Sequence, residues 1–458
     1  MKSTKDQFLK NNIYTLNFKM KAIVIFILAT LCGNLAIAQQ EYESKKNSAT
    51  SISPYLIGQN AWERNEVFKV LEEVKDVKYQ TIRIGGNGYE NSGFMNKDVI
   101  KLIDYVRSVG AEPIVQMPRQ LKDDDKAYKA IAYLNGELDK KIKFWSIGNE
   151  PDHHNQLASP EEVYDYFTKI AAQIKRYDSK AKIMGFDLAS YKDSYMSRLL
   201  GGDLDVTKKV PDQNYYYLDM IAFHNYKFKD IIGFEKNVKI LKQQLNPINS
   251  MRAKDQQIGW AITEFNSHWI VDEKLGEDFM PYNFHNGQIF AEMYDLGMRE
   301  GAFTICPWSI LEGGADREGT DLGMFDLVDG KYFPRSNYYH TQMLAHNFRE
   351  NYLSNTNNEK DIVVIPMGNK DGFSVMVLNK SKSKDFDILL SLDTSTQKTV
   401  SKDLVIAVNA GIKGNTKVAI KAESTQMFIF NQKGELLKSY TYSAKDEEEK
   451  KAPSILLF

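Results

Sequence analysis

The 458-residue chain is poor in cysteine, with only Cys32 and Cys306. A scaffold stapled by disulfides is therefore excluded, and stability must come from a buried core. The chain also lacks an excess of either charge. Its 59 basic and 60 acidic residues leave a formal charge of -1 and gather into no basic field, so a nucleic-acid partner is not expected. No repeat at the period of solenoids or propellers is present, and no low-complexity tract. The longest apolar run, Ala22 to Cys32, is too short for a stable membrane span.

Apolar residues at 43% are enough for a sizeable core, and aromatics at 12% suit both a core and a surface that stacks on sugar rings. Met20-Lys21 before Ala22–Cys32, with Ala36-Ile37-Ala38 before Gln39, reads as a cleaved export signal over residues 1–38, with a second candidate start at Met20. A periplasmic or extracellular location follows. Leu31 before Cys32 disfavours a lipid anchor, which wants a small residue there. Cys306 lies in an apolar strand pattern and reads as a small core residue rather than a nucleophile.

Residues 39–53 read as a linker or a first sandwich strand. After them, short apolar strands alternate with segments of helical period, the pattern of parallel βα units. The predicted strands are Tyr55–Asn60, Thr81–Gly85, Glu112–Met117, Lys143–Asn149, Lys182–Asp187, Met220–Asn225, Ile258–Phe265 and Phe303–Trp308. Helical patterns lie between them at Asn65–Val74, Lys97–Val109, Asp125–Leu138, Pro160–Tyr177 and Asn283–Arg299. Eight strands with covering helices predict an α/β fold, a closed (β/α)8 TIM barrel over 54–349. From 350 to 445 the runs become short, alternating and β-branched, which predicts an appended C-terminal antiparallel β-sandwich. Residues 446–458 read as a solvated charged tail.

Two strands end in carboxylates. Phe144-Trp145-Ser146-Ile147-Gly148-Asn149-Glu150-Pro151 runs into Glu150, and Ile258-Gly259-Trp260-Ala261-Ile262-Thr263-Glu264 runs into Glu264. A closed barrel would bring both to its carboxyl rim, where this fold places its chemistry. The other strand ends add Asn60 and Trp62, Arg83 and Asn87, Gln116 and Arg119, Asp187, His224 and Tyr226, and Trp308. A rim of carboxylate, amide, imidazole and indole groups fits a carbohydrate. Two glutamates about 5 to 5.5 Å apart suffice for glycoside cleavage with retention, one giving a proton and the other attacking. The donor needs a raised pKa, which a second carboxylate nearby favours. Asn149 is placed to bond a sugar hydroxyl, Arg83 to keep Glu264 ionised, and His224 or Tyr226 to orient either acid.

Asn149-Glu150-Pro151 after the fourth strand and Thr263-Glu264-Phe265 after the seventh resemble the clan of (β/α)8 retaining glycoside hydrolases. The added sandwich is similar to that of families 30, 39, 51 and 79. The resemblance implies Glu150 as acid/base and Glu264 as nucleophile. It also implies His224-Asn225-Tyr226 beside the nucleophile and Trp308 as an aromatic floor. Asn60, Trp62, Arg83, Asn149, His224, Tyr226 and Trp308 are the expected substrate-side residues. No cofactor or metal is called for, since His153-His154 are adjacent on a loop and rarely converge on one ion. Each motif also has a plain structural reading. Asn-Glu-Pro is a common helix start, Arg83 could serve a structural ion pair, and His224 could be an interior hydrogen-bonded histidine. The expected function is cleavage of a β-linked poly- or oligosaccharide. A glycan-binding barrel without turnover, or a transglycosylase or inverting enzyme on the same scaffold, remains the alternative.

Overall fold

The computed structural model describes residues 49–61, 65–92, 97–153, 157–270, 276, 281–312, 321–394 and 403–458. The export segment read at 1–38, Trp62, His154 and the loop Asp316-Arg317-Glu318 lie outside the described residues. No helix among the described residues is long and apolar enough to cross a membrane.

Seven parallel strands form the barrel sheet in chain order: Gly58–Ala61, Thr81–Ile84, Glu112–Met117, Phe144–Ile147, Lys182–Leu188, Met220–Tyr226 and Gly259–Asn266. The eighth position, expected as a strand over Phe303–Trp308, is instead an isolated pair of bridges. Ile305 pairs with Ile57 on one side and Ile262 on the other, which closes the ring. Pro307 has no amide hydrogen to extend a ladder, and the Cys306 and Pro307 carbonyls turn inward to the Asn60 side chain. The fourth strand also stops earlier than expected. Its end is set by Gly148 at φ +77, not by Pro151 three residues on.

The helices form where apolar residues recur at helical spacing. Pro160–Tyr177 starts on a full capping box: the Ser159 hydroxyl accepts from Glu162 N, and Glu162 accepts from Ser159 N at 2.7 Å. Its Val163, Phe167, Ile170 and Ile174 are buried against the barrel. The helix expected over Asp125–Leu138 is α from Lys126 to Ile131 and widens to a π-turn over Ala132–Glu137, where Asn135 bonds both backbone groups of Ile142. Below the rim the barrel is filled by Ile114, Phe144, Met184, Met220 and Cys306. Burial there pushes the Cys306 thiol up to about 11, so it stays neutral and serves as packing.

Beyond the barrel, a seven-stranded antiparallel sheet includes Ile362–Asn369, Gly372–Asn379, Ser424–Asn431 and Leu436–Ser443. A three-stranded sheet of Phe386–Ser391, Leu404–Ala407 and Asn415–Ile420 packs on it through Val364, Val377, Ile388, Ile406 and Phe428. Thr50–Ser51 joins the larger sheet by pairing with Asn351–Tyr352. The segment 446–458, expected as a solvated tail, is mostly exposed but carries regular structure. Ser443 caps a helix over Ala444–Glu448 that buries Glu447, and Ser454–Leu457 adds an edge strand to Leu436–Ser443. The apolar Ile455-Leu456-Leu457 behind the lysines carries the strand signal that the charge run masked. Helix Phe284–Glu300 lies between barrel and sandwich and is buried on nearly every side, with Gln288 donating to the carbonyls of Asn379 and Ser424 and Glu292 paired to Lys380.

Candidate active site

The carboxyl end of the barrel opens into a cavity of about 560 Å³. Glu150, Glu264, Tyr226, Trp308, Asn87, His153, Trp269 and Glu312 are among its lining residues. Glu150 and Glu264 sit at its floor, 7% and 5% exposed. One oxygen of each lies within 4.8 Å of the other, and His224 Nδ1 sits within the same distance of both.

Local backbone geometry aims these groups. Gly148 at φ +77 turns the chain out of the fourth strand, and Glu150 itself is held at φ +41, outside the ordinary range of a non-glycine residue. The Glu150 amide donates to the Asp187 carbonyl at 2.8 Å, which ties the ends of the fourth and fifth strands together. At the second strand end, Gly85 allows close packing: a Cβ there would lie 2.9 Å from the Arg83 guanidinium carbon and 2.7 Å from the Gln116 amide oxygen.

Arg83 is fully buried at the centre of the rim. It donates to Glu264 Oε1 at 2.8 Å, Asn60 Oδ1 at 3.2 Å, Asn149 Oδ1 at 2.7 Å and Asp187 Oδ2 at 3.1 Å. Burial alone would weaken its charge, but Asp187 and Glu264 outweigh that and raise its pKa. The second oxygen of Glu264 accepts from the Tyr226 hydroxyl at 2.8 Å. Burial, followed by the Glu264 charge, drives the Tyr226 pKa far up, so the phenol keeps its proton as a donor.

Glu150 is held by other means. His224 Nδ1 lies 3.2 Å from its Oε1, and Asn87 Nδ2 donates to its Oε2 at 3.0 Å. Burial favours the neutral acid, but hydrogen bonding and charge from His224, with help from Asn87, carry the net shift downward. This reverses the expectation of a raised donor pKa from a neighbouring carboxylate, because the imidazole sits between the two acids. For His224, burial opposes the charge, while Glu264 and Glu150 together raise its pKa.

Tyr226 and Trp308 line the cavity, with the Trp308 indole N–H donated to Glu312. Asn60, Arg83 and His224 are shut off from solvent and Asn149 nearly so. They therefore stand behind the glutamates rather than against a ligand. Asn60 spends its amide on the carbonyls of Thr263, Cys306 and Pro307, and Asn149 spends its own on Asn87. Gln116 and Arg119 belong to a separate buried cluster on Glu90. The sequence reading left Trp269 and Glu312 out of the site, because both lie in loops past a strand end where no spacing rule applies. Trp269 stacks on His268 at 4.1 Å and is about half exposed at the cavity mouth.

Glu150, His224 and Glu264 are also close enough to share a cation. The rest of the donor set speaks against one: Arg83 already places a positive charge 2.8 Å from Glu264, and Tyr226 occupies its other oxygen.

No family model matches the sequence, and no curated protein matches it. Solved structures do. A family 51 α-L-arabinofuranosidase from Bifidobacterium longum superposes with a TM-score of 0.61 at 12% identity, over 82% of this chain and 97% of that one. A family 30 endoxylanase from Clostridium papyrosolvens gives 0.56 at 13%, over 84% and 98%. A family 44 xyloglucanase from Paenibacillus polymyxa gives 0.53 at 11%, over 83% and 96%. At such identities the likeness is one of fold: a parallel β/α barrel with an appended β-domain. Families 51 and 30 are among those whose side domain the appended sandwich is expected to resemble.

Proposed function

We propose that this chain is an exported retaining glycoside hydrolase that cuts a β-linked poly- or oligosaccharide by double displacement, without metal or cofactor. The observation that carries the reading is that one oxygen of Glu150 and one of Glu264 lie within 4.8 Å of each other. An approach that close favours the paired carboxyls of retaining enzymes, roughly 5 to 5.5 Å apart, over the about 6.5 to 9.5 Å that leaves room for an inverting water. The solved structures of the same fold that are glycosidases on arabinofuranosides, xylan and xyloglucan support the substrate class.

Glu264 attacks the anomeric carbon while Glu150, in the protonated form that its lowered pKa makes the minor one near neutral pH, gives its proton to the departing oxygen. Glu150, now a carboxylate, takes a proton from water as that water displaces Glu264. Arg83 and Tyr226 each hold one oxygen of Glu264 and aim it. Trp308 offers the sugar a flat apolar face, and Trp269 a second one at the mouth.

The test is reducing-sugar release from a panel of β-linked polysaccharides, aryl β-glycosides and aryl α-L-arabinofuranosides, with wild type, Glu150→Ala and Glu264→Ala side by side. Cleavage of one substrate by wild type, with both folded variants down by about 1,000-fold or more, supports the reading. Binding without cleavage moves the glycan-binding barrel forward. Variants that cut as well as wild type refute the pair.

A further inference from the structure

A second carboxylate on Arg83 has no part in the steps above. Asp187 is fully buried and pairs with Arg83 Nη2 at 3.1 Å, while Arg83 Nη1 holds Glu264. It is also fixed from other sides, by the Ser146 hydroxyl on Oδ2 and by the Thr263 hydroxyl on Oδ1 at 2.7 Å. Ser146 lies on the strand that delivers Glu150, and Thr263 immediately precedes Glu264. The guanidinium is thus divided between two acids, only one of which lines the cavity.

Resting on the double-displacement reading, we propose that Asp187 is a positioning residue: it is the counter-ion that keeps Arg83 paired while Glu264 is esterified. In the first step a Glu264 oxygen bonds to the anomeric carbon, and the bond from that carbon to the leaving oxygen breaks. The bonding pair goes to the leaving oxygen, which takes the proton from Glu150. The negative charge therefore moves from Glu264 to Glu150, and Arg83 is left facing a neutral ester. A buried guanidinium without an anion is costly. Asp187, locked by two hydroxyls, removes that cost. Its effect falls on forming the covalent intermediate. Hydrolysis of the intermediate restores the Glu264 charge and does not need it.

The experiment measures the two half-reactions separately. Wild type and Asp187→Asn are treated with 2,4-dinitrophenyl 2-deoxy-2-fluoro-β-D-xyloside and the matching β-D-glucoside. Covalent labelling is followed by intact-protein mass, and loss of label is followed after removal of reagent. The parent 2,4-dinitrophenyl glycosides report turnover and the burst of phenol. Labelling, or the burst where only the parent compounds react, is expected to slow by at least about 30-fold in Asp187→Asn, with loss of label unchanged or faster. Equal slowing of both steps, or of neither, overturns the proposal and leaves double displacement standing. A wild type that neither labels nor turns over any of these compounds, nor any aryl glycoside of the panel, removes double displacement and the proposal with it. Should Asp187→Asn not fold, Ser146→Ala and Thr263→Val loosen the same carboxylate. Slower labelling by about 3-fold or more with unchanged loss of label then supports the role, and unchanged labelling overturns it.

Discussion

Glu264 and Glu150 lie side by side on the barrel floor, yet their neighbours differ in kind. Glu264 is gripped by a permanent cation, Arg83, and by a phenol that does not ionise in any ordinary pH range. Glu150 is held by an amide and an imidazole, one neutral and one able to gain or lose a proton. The group that attacks sits beside a fixed charge and a fixed donor. A group that must give and take a proton is surrounded by a partner that can do the same.

The harshest way to break this contrast is to remove the fixed cation. Arg83→Met takes the guanidinium from the buried Asp187 and Glu264, leaving them hydroxyl partners only on that side, and should lower stability by about 3 to 5 kcal/mol, measured by urea unfolding, with activity lost as well. Wild-type stability in that variant would mean that Glu264 does not depend on Arg83. A milder comparison sets one hydrogen bond of each acid against the other. Tyr226→Phe should lower kcat/KM by about 10- to 100-fold, since it strips a donor from a charged group. Asn87→Ala should cost only a few-fold, roughly 1 kcal/mol, because His224 still holds Glu150. Equal losses would erase the distinction.

The smallest effect is in pH dependence. The raised pKa of His224 means that its pairing stabilises the fold below the ordinary histidine value and is lost as pH rises through the raised one. The lowered pKa of Glu150 means that its contribution is present above the ordinary glutamate value and is lost as pH falls through the lowered one. The two shifts share the His224–Glu150 contact, with the Glu264 charge raising His224 further, so stability should pass through a plateau bounded on each side. In His224→Gln the alkaline fall in stability should vanish. The alkaline limb of kcat/KM should move to higher pH, because Glu150 loses the donor that favours its ionised form. A limb that stays in place would detach His224 from Glu150.

Much of this arrangement was readable from local pattern, and the reason is geometric. A short apolar run ending in a carboxylate states both the strand and the rim position, which is why Glu150, Glu264, Tyr226 and Trp308 could be placed from spacing alone. Asp187 was visible as a rim residue too, but its tie to Arg83 joins strands that are not neighbours, and no linear pattern records which side chains meet across a barrel. The same holds for His224, whose place between the two acids reversed the expected shift at Glu150. The eighth strand was legible in composition and not in form, because a proline and two carbonyls turned inward to Asn60 changed its hydrogen bonding.

The pairing of Ser51 with Asn351 joins residues 300 positions apart, with the whole barrel between them. On a ribosome, the first strand of the outer sheet therefore emerges long before any of its partners. It has to wait, unpaired, while every barrel strand is synthesised. The sheet that covers helix Phe284–Glu300 is completed only by the last segments to appear. A chain stalled after the barrel would carry that helix with its outer side uncovered, a surface on which chaperones act. For this molecule the order of synthesis makes the sandwich the final seal on the barrel.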